Sequence, residues 1–97
     1  MRLKKDIEPI DNALNKILSL NGVYYNWIDT EKYNDRHQIG LIAQNVEEVV
    51  PELVCTNETG FKSVNYSQLV SVLIEAMKEQ NDKIIQLQNI VDGLKNN

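Results

Sequence analysis

From Tyr66 to Leu94, apolar residues recur at alternating spacings of four and three: Tyr66, Val70, Leu73, Met77, Ile84, Leu87, Val91 and Leu94, with Gln80 filling the one polar place in the series. This is a heptad seam of period 3.5, kept for about four heptads, and it predicts a helix that packs against partner chains. The competing reading is an amphipathic helix folded onto its own domain. Period and length both oppose it. At 1.5 Å per residue the helix runs about 45 Å, whereas a domain of about 100 residues has a radius of gyration of about 13 Å. The helix is expected to project beyond the body.

With Val70, Met77, Ile84 and Val91 at position a, Leu73, Gln80, Leu87 and Leu94 fall at d. Branched residues at a with Leu at d lean toward two strands. Met77 breaks that rule. Ile74 at e, with Ala76 and Ile90 at g, widens the stripe toward three strands. The seam alone leaves dimer and trimer open. Gln80 can hydrogen-bond across the axis and fix register, at some cost in stability.

Ninety-seven residues allow one domain. We expect an α+β chain: a small mixed body of short strands and helices over residues 1–65, then a coiled-coil helix over 66–95. A core that small is marginal alone and gains from oligomerisation. The net charge of −4 gives no nucleic-acid footprint, and the one cationic cluster is Arg2, Lys4 and Lys5. One cysteine and one histidine predict no disulfide and no metal site. No cofactor is expected. No apolar run approaches 18 residues, so no membrane span is expected. Cys55, beside Val54 in a β-prone run, is expected to be a buried inert thiol, and His37 a surface or strand-edge residue. A serine hydrolase would need a nucleophile, a base and an orienting group together, and Ser19, Ser63, Ser67 and Ser71 have no local histidine. Glu47, Glu48 and Glu52 read as a solvated helix face rather than a catalytic carboxylate pair.

Leu3 and Ile7 alternate with charges, as in a short strand or an extended arm. Pro9 then opens a helix carrying Ile10, Ala13, Leu14, Ile17 and Leu18, which Gly22 is expected to close as a left-handed cap. Val23 to Ile28 and Gln38 to Ile42 read as strands. The polar stretch 29–35 between them reads as a loop or hairpin tip, with a helical turn at Thr30 to Lys32. Ala43 to Val50 reads as a helix stopped by Pro51. Two β-prone runs, Leu53 to Thr56 and Phe61 to Val64, flank a turn ending at Gly60 and predict a hairpin. Asn65 or Ser67 caps the last helix.

Three segments together carry a resemblance: Arg2-Leu3-Lys4-Lys5-Asp6-Ile7, then Gly40-Leu41-Ile42-Ala43-Gln44-Asn45-Val46, then Pro51-Glu52-Leu53-Val54. A Tyr66-Ser67-Gln68-Leu69 start to the long helix completes it. In this order they resemble the C-terminal intramolecular chaperone domain of phage tailspikes, tail fibres and endosialidases. That family's motifs run Ser-Asp-x-Arg-x-Lys, Gly-x-Ile-Ala-Gln-x-Val and Pro-Glu-Leu-Val. Gly40, Ile42, Ala43, Gln44, Pro51 and Glu52 stand at the matching places, and the match covers essentially the whole chain.

The resemblance implies a homotrimer that aligns an N-terminally fused fibre or spike and then cuts itself free. It implies a Ser-Lys dyad in which Lys4 is the general base. The matching serine would stand two residues before Met1, so the chain as given is expected not to cleave. A serine hydroxyl needs a base, and a lysine serves as one only when burial or neighbouring cations such as Arg2 and Lys5 favour its neutral form. The implied location is the host cytoplasm during virion assembly, with release from the mature fibre after cleavage. The alternative is a plain oligomerisation module without chaperone or protease activity. A bare module, though, has no use for residues 39–46 or for the hairpin at 53–64.

Overall fold

The computed structural model describes residues 3–29, 31–32 and 36–96. The elements are helix α1 (Ala13–Leu18), strands β1 (Val23–Tyr25) and β2 (Gln38–Gly40), helix α2 (Ala43–Val49), a 3-10 turn at Pro51–Leu53, strands β3 (Val54–Thr56) and β4 (Lys62–Val64), and helix α3 (Tyr66–Lys95). There are two antiparallel ribbons, β1–β2 and β3–β4; α1 and the 3-10 turn pack beside the first half of α3, and α2 packs on the 3-10 turn and the β3–β4 ribbon. The expected α+β architecture is present, and so is the projection. The molecule measures 66 × 40 × 24 Å, with a radius of gyration of 18.9 Å.

The core is small: Ala13, Leu14, Val46, Val50, Leu53, Val72 and Ala76 are its buried members. It joins α1, α2, the 3-10 turn and one side of α3. Around it Ile10, Leu41, Val54, Val64 and Leu69 are half-buried. Backbone joints fix the pieces to each other. The Asn65 N–H donates to the Leu53 carbonyl at 2.7 Å, and the Asn65 side chain caps α3 by accepting from the Gln68 N–H at 3.1 Å. Lys62 on β4 holds both carboxylate oxygens of Glu47 on α2, each at 2.8 Å. Glu47 thus ties the hairpin to the helix rather than merely facing solvent.

The β3–β4 hairpin has the expected form. Asn57 Oδ1 accepts from the Thr59 and Phe61 N–H groups at 3.0 and 2.9 Å, and Gly60 takes the left-handed conformation (φ 89°) that its turn requires.

Five local expectations are corrected. The first helix starts at Ala13, not Pro9, because Asn12 adopts a left-handed backbone (φ 53°) that Asn tolerates and a helix cannot contain. Its end needs no left-handed glycine: Ser19 stays right-handed and its N–H bonds the Asn15 carbonyl, while Gly60 is the one glycine with positive φ among the described residues. Strand β1 stops at Tyr25, where its pairing with Gln38 ends, and Trp27 turns to meet Tyr25 edge-on at 5.3 Å. Strand β2 stops at Gly40 because the Leu41 N–H donates to the Tyr66 hydroxyl, at 3.1 Å, and Ile42 opens α2. Cys55 is exposed. In a two-stranded ribbon the paired Val54 and Val64 face inward, so the paired Cys55 and Ser63 must face out.

His37 is on the surface as expected, stacked on Tyr24 at 5.0 Å with Nδ1 3.0 Å from Asn26 Oδ1. Arg2, Thr30 and residues 33–35, which bear on the cationic cluster and the tip between the strands, lie outside the described residues.

Candidate assembly interface

Helix α3 has two apolar faces, and the chain uses one of them. Leu69, Val72, Ala76 and Glu79 lie on the back, against α1 and the 3-10 turn. There Val72 and Ala76 are buried, and Glu79 Oε2 accepts from the Leu14 N–H at 2.9 Å. That bond supplies what α1 lacks, since Asn12 makes no side-chain cap. Sequence reasoning found the seam, missed this second stripe, and placed Ala76 on the seam's partner-facing flank, where the structure instead buries it within its own chain. The stripe's signal was present in the spacing of Leu69, Val72 and Ala76 at i, i+3 and i+7.

The front face is the seam. Val70, Leu73, Met77, Gln80, Ile84, Leu87, Val91 and Leu94 all lie on the surface, Met77 at 72% exposure. Beyond Gln80 every described residue of α3 is exposed, so the helix leaves the body there. A compact monomer of this mass exposes about 5,700 Å²; this chain exposes 8471 Å². The excess of about 2,800 Å² exceeds the roughly 800 Å² per partner that a stable interface buries. A contiguous apolar stripe of this length marks an interaction surface.

Motif residues Gly40 to Gln44 gather near Tyr66 at the start of that face, whereas Glu52 lies toward the back, with Gln68 and Val72. Gly40 ends β2, Ile42 is the N-cap residue of α2, and Ala43 and Gln44 form its first turn. A Cβ built on Gly40 would stand 2.7 Å from the Tyr66 hydroxyl and 3.3 Å from Tyr25 Cε1. The glycine therefore makes room for the Tyr66–Leu41 bond. Pro51 begins the 3-10 turn, where its missing N–H costs nothing, and Glu52 follows it, exposed. Leu41, Ile42, Gln44 and Tyr66 border a cleft of about 410 Å³, with Trp27 and Lys62 on its other walls.

Lys4 and Lys5 are exposed, so burial in a single chain does not take Lys4 out of water. Among the described residues no cluster of His, Cys, Asp and Glu could hold a metal ion, and no helix is long and apolar enough to cross a membrane.

Comparison with known proteins returns one consistent result. Residues 1–55 match the family described as chaperone of endosialidase. The chain is 32% identical over 97 residues to the long tail fiber protein Gp37 of Enterobacteria phage K3, covering 92% of this chain and 8% of that protein. The same protein of Enterobacteria phage T2 matches at 32% identity, over 92% of this chain and 7% of its own length. That of Salmonella phage S16 matches at 29%, over 97% and 14%. The chain therefore spans about a tenth of the length of these relatives.

Proposed function

The chain belongs to the chaperone-of-endosialidase family, and from that premise we propose that three copies join through the front face of α3 to align a phage tail fibre fused at their N-terminal side. The carrying observation is the open seam, which runs on for residues 81–95 after the body has ended. A fibre of three chains must be brought into register before its non-local strand pairs can form, and loop-closure entropy makes that search slow. A terminal module that ties three chains raises their effective concentration for one another. The relatives' identity as tail fibre proteins supports the fibre as the client. The setting is the host cytoplasm during virion assembly, followed by release from the mature fibre.

Release is by a single self-cleavage. In a longer chain bearing the family's Ser-Asp before residue 1, Lys4 in its neutral form takes the serine hydroxyl proton. The serine oxygen attacks the carbonyl carbon of the residue before it. That peptide C–N bond breaks as Lys4 returns the proton to the leaving nitrogen, which becomes the serine's free amino group, and water hydrolyses the ester to a carboxylic acid on the released fibre and a free serine hydroxyl. Removal of the module makes the fibre kinetically hard to unfold.

Light scattering over a dilution series of the 97-residue chain tests assembly. A stable mass of three chains is expected, and one chain at micromolar concentration would overturn the proposal. For cleavage, a fibre-fused chain with the upstream Ser-Asp should split on a denaturing gel, and its Lys4→Ala variant should stay whole. Cleavage that survives Lys4→Ala removes the dyad.

A further inference from the structure

We propose, resting on the three-chain reading above, that residues 3–9 form an arm that crosses to the neighbouring copy and seats Leu3 and Ile7 in its cleft beside Leu41 and Gln44. Leu3 and Ile7 are 89% and 75% exposed, on a segment with neither helix nor strand. Asp6 within it holds a left-handed backbone, φ 54°, that no hydrogen bond of its own supports among the described residues. The segment thus presents two apolar side chains that its own chain leaves uncovered.

Direction comes from the two edges of the open face. The arm leaves at one edge, where Glu8, Pro9 and Ile10 lie against Ser71, Ile74 and Glu75 of α3. Ile74 is an e position. The cleft opens at the other edge, at Tyr66, a d position flanked by the body that covers the g residues Leu69 and Ala76. In a parallel bundle the e flank of one helix faces the g flank of the next. The arm of one copy thus faces the cleft of its neighbour, while its own cleft lies across the seam. Joining two different edges in this way is a heterologous contact, and with three copies it closes into a ring.

Reach and fit agree. Tyr66 and Ile74 are separated by about 12 Å along the helix axis, and seven residues span at most about 23 Å, a reach that the left-handed Asp6 shortens. The cleft's volume of about 410 Å³ lies within the range of pockets that hold ligands, about 300–1,000 Å³, and aromatic Trp27 and Tyr66 wall it with Leu41 and Ile42. Lys4 lies on the arm, so docking places it beside the neighbouring copy.

The test uses two versions of the whole chain, both with Cys55→Ser: one carries Leu3→Cys and the other Gln44→Cys. They are mixed, refolded together and oxidised. Expected are particles of three-chain mass in which peptide mapping finds the Leu3→Cys chain linked to the Gln44→Cys chain. As a second measurement, Leu3→Ser with Ile7→Ser should keep the three-chain mass and lower the melting temperature by several degrees. Three-chain particles with neither the link nor the lowered melting temperature overturn the arm and leave trimerisation standing. A doubly substituted chain that closes the bond within itself while diluted with unsubstituted chain also overturns the crossing. Particles of one chain overturn the trimer and the arm together.

Discussion

Residues 66–80 and 81–95 of α3 carry the same seam, but only the first stretch has a back wall. In the first, Val72 and Ala76 are buried against α1 and the 3-10 turn, and Glu79 reaches the α1 backbone. In the second every described residue is exposed. A 15-residue helix with no tertiary contact is marginal in water. The near stretch is therefore held by its own chain, and the far stretch gains burial only from partners. The difference separates two quantities that usually move together. Under the proposed three-chain assembly, the far stretch reports assembly, and the near stretch reports the body.

The largest effect should follow from breaking the far stretch. Ile84→Lys with Leu87→Lys places two cations per chain in the seam. Truncating such residues costs about 2–5 kcal/mol each where they are buried, and burying unpaired charge costs more. We expect loss of the three-chain mass and loss of helical circular dichroism equivalent to about one α3 half, with the body still unfolding cooperatively when followed by Trp27 fluorescence, from a starting signal shifted by departure of the neighbour's arm. Loss of that cooperative Trp27 transition as well would show that the body cannot stand without the far seam.

Next is the converse substitution. Leu53 is 3% exposed at the centre of the body core. Leu53→Ala should cost about 2–5 kcal/mol and split the melt in two. The body, followed by Trp27 fluorescence, melts early, while the far helix stays assembled to a higher temperature. A single shared transition would mean the two stretches fold as one unit.

What was legible in the sequence follows the same division. The seam, the Asn65 cap and the β3–β4 turn are written in local spacing, and local spacing suffices for elements whose geometry is set by near neighbours. Gly40 stood out only through its motif. Its physical reason is Tyr66, 26 positions away, whose hydroxyl occupies the space that a Cβ would need. Cys55 was misread because a β-prone run does not say which of its two faces is inward; Val54 pairing with Val64 decides that. The back stripe was hidden because Leu69, Val72 and Ala76 form a shorter pattern beside the longer seam. The motif cleft required the fold, since its walls come from three separate segments of the chain.

Gly40→Ala makes the joint between body and seam measurable. The added methyl group meets the Tyr66 hydroxyl at 2.7 Å, so the ring must move and the bond to the Leu41 N–H is lost. Overpacking costs about 1–3 kcal/mol. Tyr66→Phe removes the clashing oxygen, so the double variant Gly40→Ala with Tyr66→Phe should be less unstable than the sum of the two single ones. Strict additivity, measured by denaturant unfolding, would show that the two residues do not meet.

The smallest effect expected is at Glu79, which tests the back wall alone. Its carboxylate accepts from the Leu14 N–H in the first turn of a six-residue helix that has no side-chain cap of its own. A carboxylate at a helix N-terminus contributes about 0.3–1 kcal/mol, and loss of a capping acceptor costs about 0.5–2 kcal/mol. Glu79→Ala removes both and should destabilise the body by about 1 kcal/mol. Glu79→Gln keeps an acceptor oxygen and loses the charge, so it should cost about half as much. Both variants should keep the three-chain mass and the melting temperature of the far helix, because Glu79 points away from the seam. Equal losses for the two would assign the whole contribution to charge. A fall in chain number with either would mean that α1 docking also sets the path of α3 into the bundle, and the two faces of the helix would no longer be independent.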